Sequence, residues 1–258
     1  MFRVIRLILL GIVAYVVSVV WLFPAAPVVA RLQPQIQPVQ VSGVDGRLFK
    51  GTANNVRYAD DLLPLEASNV KWHLMPRKIF AAAAGVGFSF DAYGGAGKGE
   101  FSHYISGDMS VSDFNFQGPA KGLEPLLSLP IAQLNGKLDA QRDSVEIENQ
   151  LLKSMDGQIK WQDARLETPI AAFLGNVDLT IEPAGDDRHR GVINANGGEV
   201  ELSGSVEIAA NGDFQSNVLI TPTDKATPEL LNAIRSFARP ERDGRYRLQR
   251  SGNVNRLL

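Results

Sequence analysis

Apolar and polar side chains alternate along most of this chain, and no other feature constrains its fold as strongly. In residues 200–208, aliphatic side chains occupy positions 200, 202, 206 and 208, and polar residues or glycine fill the positions between them. Residues 86–90, 145–148 and 177–181 repeat the alternation. Successive side chains of a β-strand point to opposite faces, so this period indicates strands that are apolar on one face and polar on the other. The sequence therefore predicts a mainly β fold.

The connections between these strands carry short turn signals. In Asn211-Gly212 and Asn135-Gly136 both residues tolerate a positive φ angle, which the favoured tight hairpin turns require. Such short loops join antiparallel neighbours, because a parallel pair needs a crossover of about a dozen residues or more. The strands are therefore predicted to form one long, curved antiparallel sheet.

One helix signal stands out near the C-terminus. Thr227 is a good N-cap residue, Pro228 suits the first helical position, and apolar residues follow at helical spacing at positions 230, 231, 234 and 237. Pro240 then ends the pattern. This predicts one helix over about residues 228–238. Residues 76–84 and 122–129 could each hold a shorter one.

The N-terminus contains a long apolar run. Residues 7–23 carry no charge; Arg3 and Arg6 precede them, and the next charge is Arg31. A helix of this length spans about 26 Å, close to the roughly 30 Å of bilayer hydrocarbon. The run is either a cleaved signal peptide ending near Ala30 or an uncleaved single-span anchor. The anchor is favoured because the run exceeds the usual apolar region of a signal peptide.

These signals divide the chain into three parts. Residues 1–30 are interpreted as a cytoplasmic tip and transmembrane anchor, because the two arginines stay in the cytoplasm by the positive-inside rule. Residues 31–40, rich in proline and glutamine, are interpreted as an extended linker. Residues 41–258 are the exported, periplasmic β domain.

A short phrase occurs twice within the β domain. Gly46-Arg47-Leu48 matches Gly136-Lys137-Leu138, 90 residues later, and Val70-Lys71-Trp72 matches Ile159-Lys160-Trp161, 89 residues later. We therefore predict two related halves, about residues 41–130 and 131–225, followed by the helix and closing strands. Chance is the alternative, because few positions match.

The sequence offers little for catalysis. The chain has no cysteine, which excludes disulfides, thiolate metal sites and cysteine nucleophiles. A net charge of −2 excludes a broadly basic nucleic-acid surface. Residues 93–100 resemble a phosphate-binding loop but lack its first glycine and the Ser or Thr after Lys98. The other candidates lack spaced or converging partners: His73, His103, His189, Asp60-Asp61 and Asp186-Asp187. No catalytic residue, metal, cofactor or small-molecule substrate is predicted.

The C-terminal stretch is the most basic part of the chain. Residues 235–258 hold seven arginines against two carboxylates. Tyr246 and Leu248 are expected to face the core, with Arg245 and Arg247 opposite them. Arg245, Arg247 and Arg250 are therefore candidate docking residues for an acidic partner or lipid headgroups. The alternative is an ordinary solvated strand face.

Several short motifs, in their order and spacing, resemble the type II secretion system protein N family. They are VSGVDG at 41–46, LFKGTA at 48–53, WHLMP at 72–76, Trp161 with Ala164, Leu174-Gly175, DGRY at 243–246 and Ser251-Gly252. Phe49 stands where the family would have tryptophan. The resemblance implies an inner-membrane protein with a periplasmic body, in the machine that exports folded proteins across the outer membrane. It also implies a distant likeness to AsmA-type proteins, whose sheets curl into an apolar groove.

Three functional hypotheses follow. The first is a non-enzymatic component whose sheet docks other inner-membrane proteins of the secretion machine through a strand edge, rim loops or the arginine strand. The second is a lipid-binding module with an apolar sheet groove. The third is a passive spacer. The first two differ in whether side chains fill the concave face or leave it open.

Overall fold

The computed structural model describes residues 22–58, 65–126, 133–148, 151–185, 188–209 and 211–253. These residues form one antiparallel sheet of fourteen strands, in which each strand from the first to the eleventh pairs with the next along the chain. Strand 14 then follows strand 12, and strand 13 lies outside it. The predicted mainly β, antiparallel architecture is confirmed.

The strands are long and their connections short. Their bounds are β1 Val39–Arg47, β2 Lys50–Tyr58, β3 Leu65–Leu74, β4 Ala83–Ala92, β5 Gly95–Tyr104, β6 Met109–Pro119, β7 Gln133–Glu148, β8 Leu151–Thr168, β9 Ala172–Pro183, β10 Arg188–Gly197, β11 Val200–Ala209, β12 Asp213–Pro222, β13 Arg239–Pro240 and β14 Tyr246–Asn253. The helices are α1, Ala25–Leu32, and α2, Pro228–Phe237, with 3₁₀ helices at Pro76–Ala81 and Ala120–Leu126. The two shorter helical predictions are therefore met by 3₁₀ turns.

Helix α2 forms as its sequence predicts. The Thr227 side chain caps the helix by accepting a hydrogen bond from the Leu230 backbone N–H at 3.3 Å. Leu230 and Ile234 are buried against the sheet, in one cluster with Val200 and Tyr246. The helix thus covers one end of the sheet in its C-terminal half.

We call the face that α2 covers the inner face. Directly opposed residues of paired strands share a face. The pairing register therefore identifies which residues of each strand lie on the inner face. The path runs through the pairs Phe116–Ala140, Ala140–Ile159, Ile159–Leu179, Leu179–Ile193, Ile193–Gly204, Gly204–Val218 and Val218–Leu248. Leu248 packs against the α2 cluster, so Phe116 and α2 lie on the same side.

The sheet has two ends. The connections β1–β2, β3–β4 and β5–β6 lie at one end, which we call the tip end. Helix α2 packs near the starts of β9, β11 and β14, at the opposite end, which we call the helix end.

The N-terminal part differs from an extended linker. Helix α1 includes the last residues of the predicted anchor and the first residues of the predicted linker. Residues 33–38 then turn back towards β1. The Gln33 side chain fixes this turn, because its amide bonds both the Val39 carbonyl, at 2.7 Å, and the Val41 N–H, at 3.1 Å. The prediction of a span over residues 7–23 lies almost wholly outside the described residues. Among the described residues, no helix has both the length and the apolar character needed to cross a bilayer.

The two tryptophans of the repeated phrase have similar local roles. Trp72 on β3 donates its indole N–H to the Leu48 carbonyl at 3.0 Å, and Trp161 on β8 donates to the Asn135 carbonyl at 2.8 Å. Leu48 precedes β2, the strand paired with β3, whereas Asn135 lies near the start of β7, the strand paired with β8.

The two glycines of the repeated phrase are not equivalent. Gly46 lies on β1, two strands before Trp72, whereas Gly136 lies on β7, directly beside the strand of Trp161. From Gly46 to Trp72 the chain passes through two short hairpins. From Gly136 to Trp161 it passes through one hairpin, whose strands are 16 and 18 residues long. The near-equal offsets therefore arise from different local topologies, and the division into halves at 41–130 and 131–225 stays a prediction.

Candidate binding surfaces

The three candidate docking arginines do not form one surface. Arg245 precedes β14 and pairs with Asp243, an exposed ion pair. The hydrogen bond from Arg245 lowers the pKa of the Asp243 carboxyl, and the same contact raises the pKa of Arg245. The charge of Arg245 is therefore already matched within the chain.

The other two arginines lie on opposite faces. Arg247 donates from Nε to Glu241 Oε1 at 2.6 Å and from Nη1 to Asn217 Oδ1 at 3.0 Å. Arg250 is three residues further along β14, so its side chain is on the inner face with Leu248, although it is exposed. Among the described residues Arg250 makes no ion pair.

Tyr246 lies where the alternation predicts. It is buried in the α2 cluster, and its hydroxyl accepts a hydrogen bond from Arg235 Nε at 3.1 Å. This bond ties the last turn of α2 to β14, which positions the strand that carries the arginines.

Helix α2 covers the inner face of the C-terminal half near the helix end. The inner face of the N-terminal half has an open groove at the same end. An apolar groove of about 500 Å³ runs across β1 to β7 near the helix end. This volume lies within the roughly 300–1,000 Å³ typical of ligand pockets. Its main apolar lining residues are Val56, Tyr58, Ala67, Phe90, Phe116 and Ala140.

Strand β5 gives the groove a floor without side chains. Gly97 lies opposite Phe90 on β4 and Phe116 on β6, and the ring of Phe90 extends over the glycine. A Cβ atom at Gly97 would lie 2.5 Å from Cζ of Phe90. Phe90 and Phe114 stack with ring centres 6.4 Å apart. The glycines of residues 93–100 therefore form a hairpin turn and this floor, and no phosphate-binding loop precedes a helix here.

One cation lies beside the groove. Arg142 on β7 is opposite Phe114, a lining residue, and so shares the inner face. Partial burial lowers the pKa of Arg142, and the charge of Asp156 opposes that shift. Arginine keeps its charge at any physiological pH, so the groove has a guanidinium at its border. Neither this cation nor the glycine floor was foreseen, although the glycines at 95, 97 and 99 alternate as strand residues do.

The first sheet edge, β1, is occupied by its own chain. The Gln33 amide bonds β1 near its start, and at its other end the Leu48 N–H donates to the Phe23 carbonyl at 2.9 Å. Pro24 also bridges to Arg47. An added strand would have to displace these contacts.

The second edge is protected only in part. Strand β13, Arg239–Pro240, pairs only with Arg247 and Tyr246, and proline has no N–H to donate to a further strand. Within the described residues, the rest of β14 from Leu248 onward has no neighbouring strand on that side. Short edges that carry charge or proline resist added strands. The expected docking through an exposed strand edge is therefore disfavoured at β1 and at β13, and stays a prediction for the open part of β14.

The residues considered for metal binding stay apart. His73 lies on β3, His103 on β5, and His189 is buried on β10. Within the described ranges no group of three potential metal ligands comes together. The pairs Asp60-Asp61 and Asp186-Asp187 lie outside the described residues.

The fold and these surfaces define a class: an antiparallel-sheet protein whose described residues form a partly covered inner face with an apolar groove. The family model for type II secretion system (T2SS) protein N matches residues 37–249. This chain belongs to that family.

Comparison with curated proteins agrees with this assignment. The chain is similar to the type II secretion system protein N of Aeromonas hydrophila, with 24% identity over 251 residues, 95% of this chain and 96% of the relative. No solved structure matches the chain significantly. The resemblance inferred from the short motifs is confirmed, and the chain is a component of the secretion machinery.

Proposed function

We propose that this chain is a non-enzymatic inner-membrane component of the type II secretion machinery. Residues 1–30 anchor it with the N-terminus in the cytoplasm, and its periplasmic sheet docks other inner-membrane proteins of the machine. The family match over residues 37–249 carries the proposal. The uncharged run of residues 7–23 supports the anchor.

The docking surface is the outer face, the connecting loops or the open part of the β14 edge, where Arg250 lies. The β1 edge is occupied by its own chain, and the outer face exposes polar side chains such as Lys71, Lys160 and Glu201. Of the three candidate arginines, Arg250 is the best contact for an acidic partner, because Arg245 and Arg247 already pair with carboxylates. Exposed charges of this kind act mainly at low ionic strength.

Co-purification tests the docking. Tagged full-length chain, extracted in mild detergent from secreting cells, should bring other inner-membrane secretion proteins with it. Arg250→Ser should reduce their yield, more strongly at low salt, and the matched Arg245→Ser should not. A full-length chain that purifies alone from secreting cells would refute the docking, and equal yields for the two variants would refute only the role of Arg250.

A second candidate function is the binding of an anionic lipid. The open groove is the specific observation in its favour, because an assembly surface alone needs no uncovered apolar face. Acyl chains suit the aromatic and aliphatic lining, and Arg142 at the border suits a carboxylate or phosphate. The helix α2 fills the corresponding end of the C-terminal half.

Photoactivatable lipid tests the groove in the intact protein. Cells would incorporate a fatty acid carrying a diazirine, and adducts on the full chain would be mapped by mass spectrometry. Ala140→Trp fills the groove, while Gln141→Trp places the same side chain on the opposite, exposed face. Adducts at the groove should fall several-fold only in Ala140→Trp. Adducts confined to residues 1–30, or equal in both variants, would exclude the lipid function.

A further inference from the structure

Three large apolar side chains stand out from the tip end of the sheet. Phe80 is 94% exposed, Ile105 is 87% exposed and Ile79 is 69% exposed, the three highest values among the exposed large hydrophobic residues of the described part. Residues 79 and 80 belong to the 3₁₀ helix between β3 and β4, and residue 105 to the turn between β5 and β6. Exposed apolar side chains grouped in this way mark an interaction surface.

The backbone holds the two projections together. The Ile105 N–H donates to the Ala82 carbonyl at 2.9 Å, which links the two connections directly. The 3₁₀ helix is closed by the Ala82 N–H, which donates to the Ile79 carbonyl at 3.0 Å. Lys78 also reaches Glu100 at 3.6 Å. Hydrogen bonds therefore hold in place the two connections that carry Ile79, Phe80 and Ile105, which we call the projection.

The N-terminal segment joins the sheet at the same end. Phe23 and Pro24 contact Leu48 and Arg47, where β1 turns into β2. The next connection at the tip end, between β3 and β4, carries Phe80. Neighbouring strands are about 4.8 Å apart, so the 3₁₀ helix lies roughly 10 Å from the point where residues 1–21 leave the described structure.

Arg77 provides a basic charge next to the apolar side chains. It is exposed and directly precedes Lys78, whose charge pairs with Glu100. Asp108, in the turn that carries Ile105, accepts a hydrogen bond from the Ser106 hydroxyl. An exposed cation beside an aromatic and an aliphatic side chain complements a bilayer surface, where cations meet anionic headgroups and apolar side chains reach the acyl boundary.

We propose that the tip end lies on the bilayer and inserts Ile79, Phe80 and Ile105 into its surface. The inference rests on the proposed anchor, which identifies the membrane as the inner membrane. Phe23, at the end of that proposed anchor, bonds Leu48 at the tip end, so the anchor would hold the tip end next to the bilayer. The sheet then stands on the membrane by its tip end, and the groove and α2 point away from it.

Because the chain has no cysteine, single cysteines can be placed without removing any other. Phe80→Cys and Ile105→Cys report on the projection, and Lys121→Cys is the control, exposed at the helix end. Each full-length variant would be spin-labelled and reconstituted into vesicles of neutral and anionic lipid with no other protein. Labels at 80 and 105 should collide several-fold more with oxygen, and less with a water-soluble nickel complex, than the label at 121.

Equal accessibility at all three sites in the vesicles would overturn the proposal. Labels at 80 and 105 that are shielded only in native membranes, where other secretion proteins are present, would also overturn it and indicate a protein partner. Alkaline carbonate extraction tests the anchor separately. Release of the full chain by carbonate refutes the anchor, whereas retention with water-exposed labels refutes only the inserted projection.

Discussion

At the scale of single residues, the absence of a side chain at Gly97 shapes the candidate groove. The ring of Phe90 occupies the space that a Cβ atom at this position would need. Phe90 cannot move freely, because it stacks between Phe88 and Phe114.

We therefore expect Gly97→Ala to destabilise the protein by about 1–3 kcal/mol, the usual cost of overpacking. Gly191→Ala is the matched control on another strand, because its new Cβ atom would come no closer than 3.3 Å to a neighbouring atom, Cδ1 of Leu179. Chemical unfolding of the full chain in detergent measures both. Adding Phe90→Leu to Gly97→Ala should recover part of the loss, and similar midpoints for the two alanine variants would contradict the close packing.

The pair of Asp243 and Arg245 predicts a pH dependence. The pKa of Asp243 is lower in the folded state because Arg245 donates to its carboxylate. The pair therefore adds stability at neutral pH, above the unfolded-state pKa, and loses it as the pH falls through the lowered folded-state pKa. The effect is small because the pair is fully exposed.

The measurement is a carboxyl titration by NMR, with unfolding midpoints across the same pH range. Arg245→Ser should raise the pKa of Asp243 towards its ordinary value. The small difference in midpoint between parent and variant should fade in acid. A pKa of Asp243 that is the same in both proteins would show that Arg245 does not hold the carboxylate.

At the scale of elements, α2 decides which part of the inner face stays covered. Its sequence signals were sufficient to predict it, because the Thr227 cap, the following proline and the helical spacing are all local. Its docking place was not predictable from those signals, since contacts with Ala172, Val200 and Tyr246 join distant parts of the chain.

Ile234→Ala should reduce the free energy of unfolding by about 2–5 kcal/mol, because the residue is 2% exposed and its loss leaves a cavity. Phe237→Ala is the control on the same helix, and it should cost much less because Phe237 is 43% exposed. Thermal unfolding followed by circular dichroism compares them. Equal losses for the two variants would argue against the packing of α2 on the sheet.

Strand periodicity predicted which side chains share a face but not which surfaces remain accessible. Tyr246 and Leu248 face inward as predicted. The pairing of Arg245 with Asp243 and of Arg247 with Glu241 is local in sequence, yet it depends on the turn before β14, which the alternation does not describe. By the same alternation Arg250 shares a face with Leu248. The sequence alone therefore predicts that Arg250 and Arg247 lie on opposite faces of the sheet.

At the scale of the whole molecule, the meander was predictable because short turns and alternation both act locally. The repeated phrase predicted the topology less well. Both tryptophans donate to a backbone carbonyl earlier in the chain, but Gly46 and Gly136 lie in hairpins of different topology. The groove could not be predicted, because it forms where β1 to β7 and Leu123 of the 3₁₀ helix at Ala120–Leu126 come together. The resulting account gives the sheet an outer face for assembly partners and an inner face for an apolar ligand.

Site-specific photo-crosslinking in secreting cells tests this account most directly. A photoreactive amino acid would replace Lys71 or Lys160 on the outer face, and Phe116 in the groove. We predict that outer-face adducts contain other inner-membrane secretion proteins and that groove adducts carry the mass of a lipid. Outer-face positions that yield no protein adduct in cells actively exporting folded proteins would contradict the assembly role.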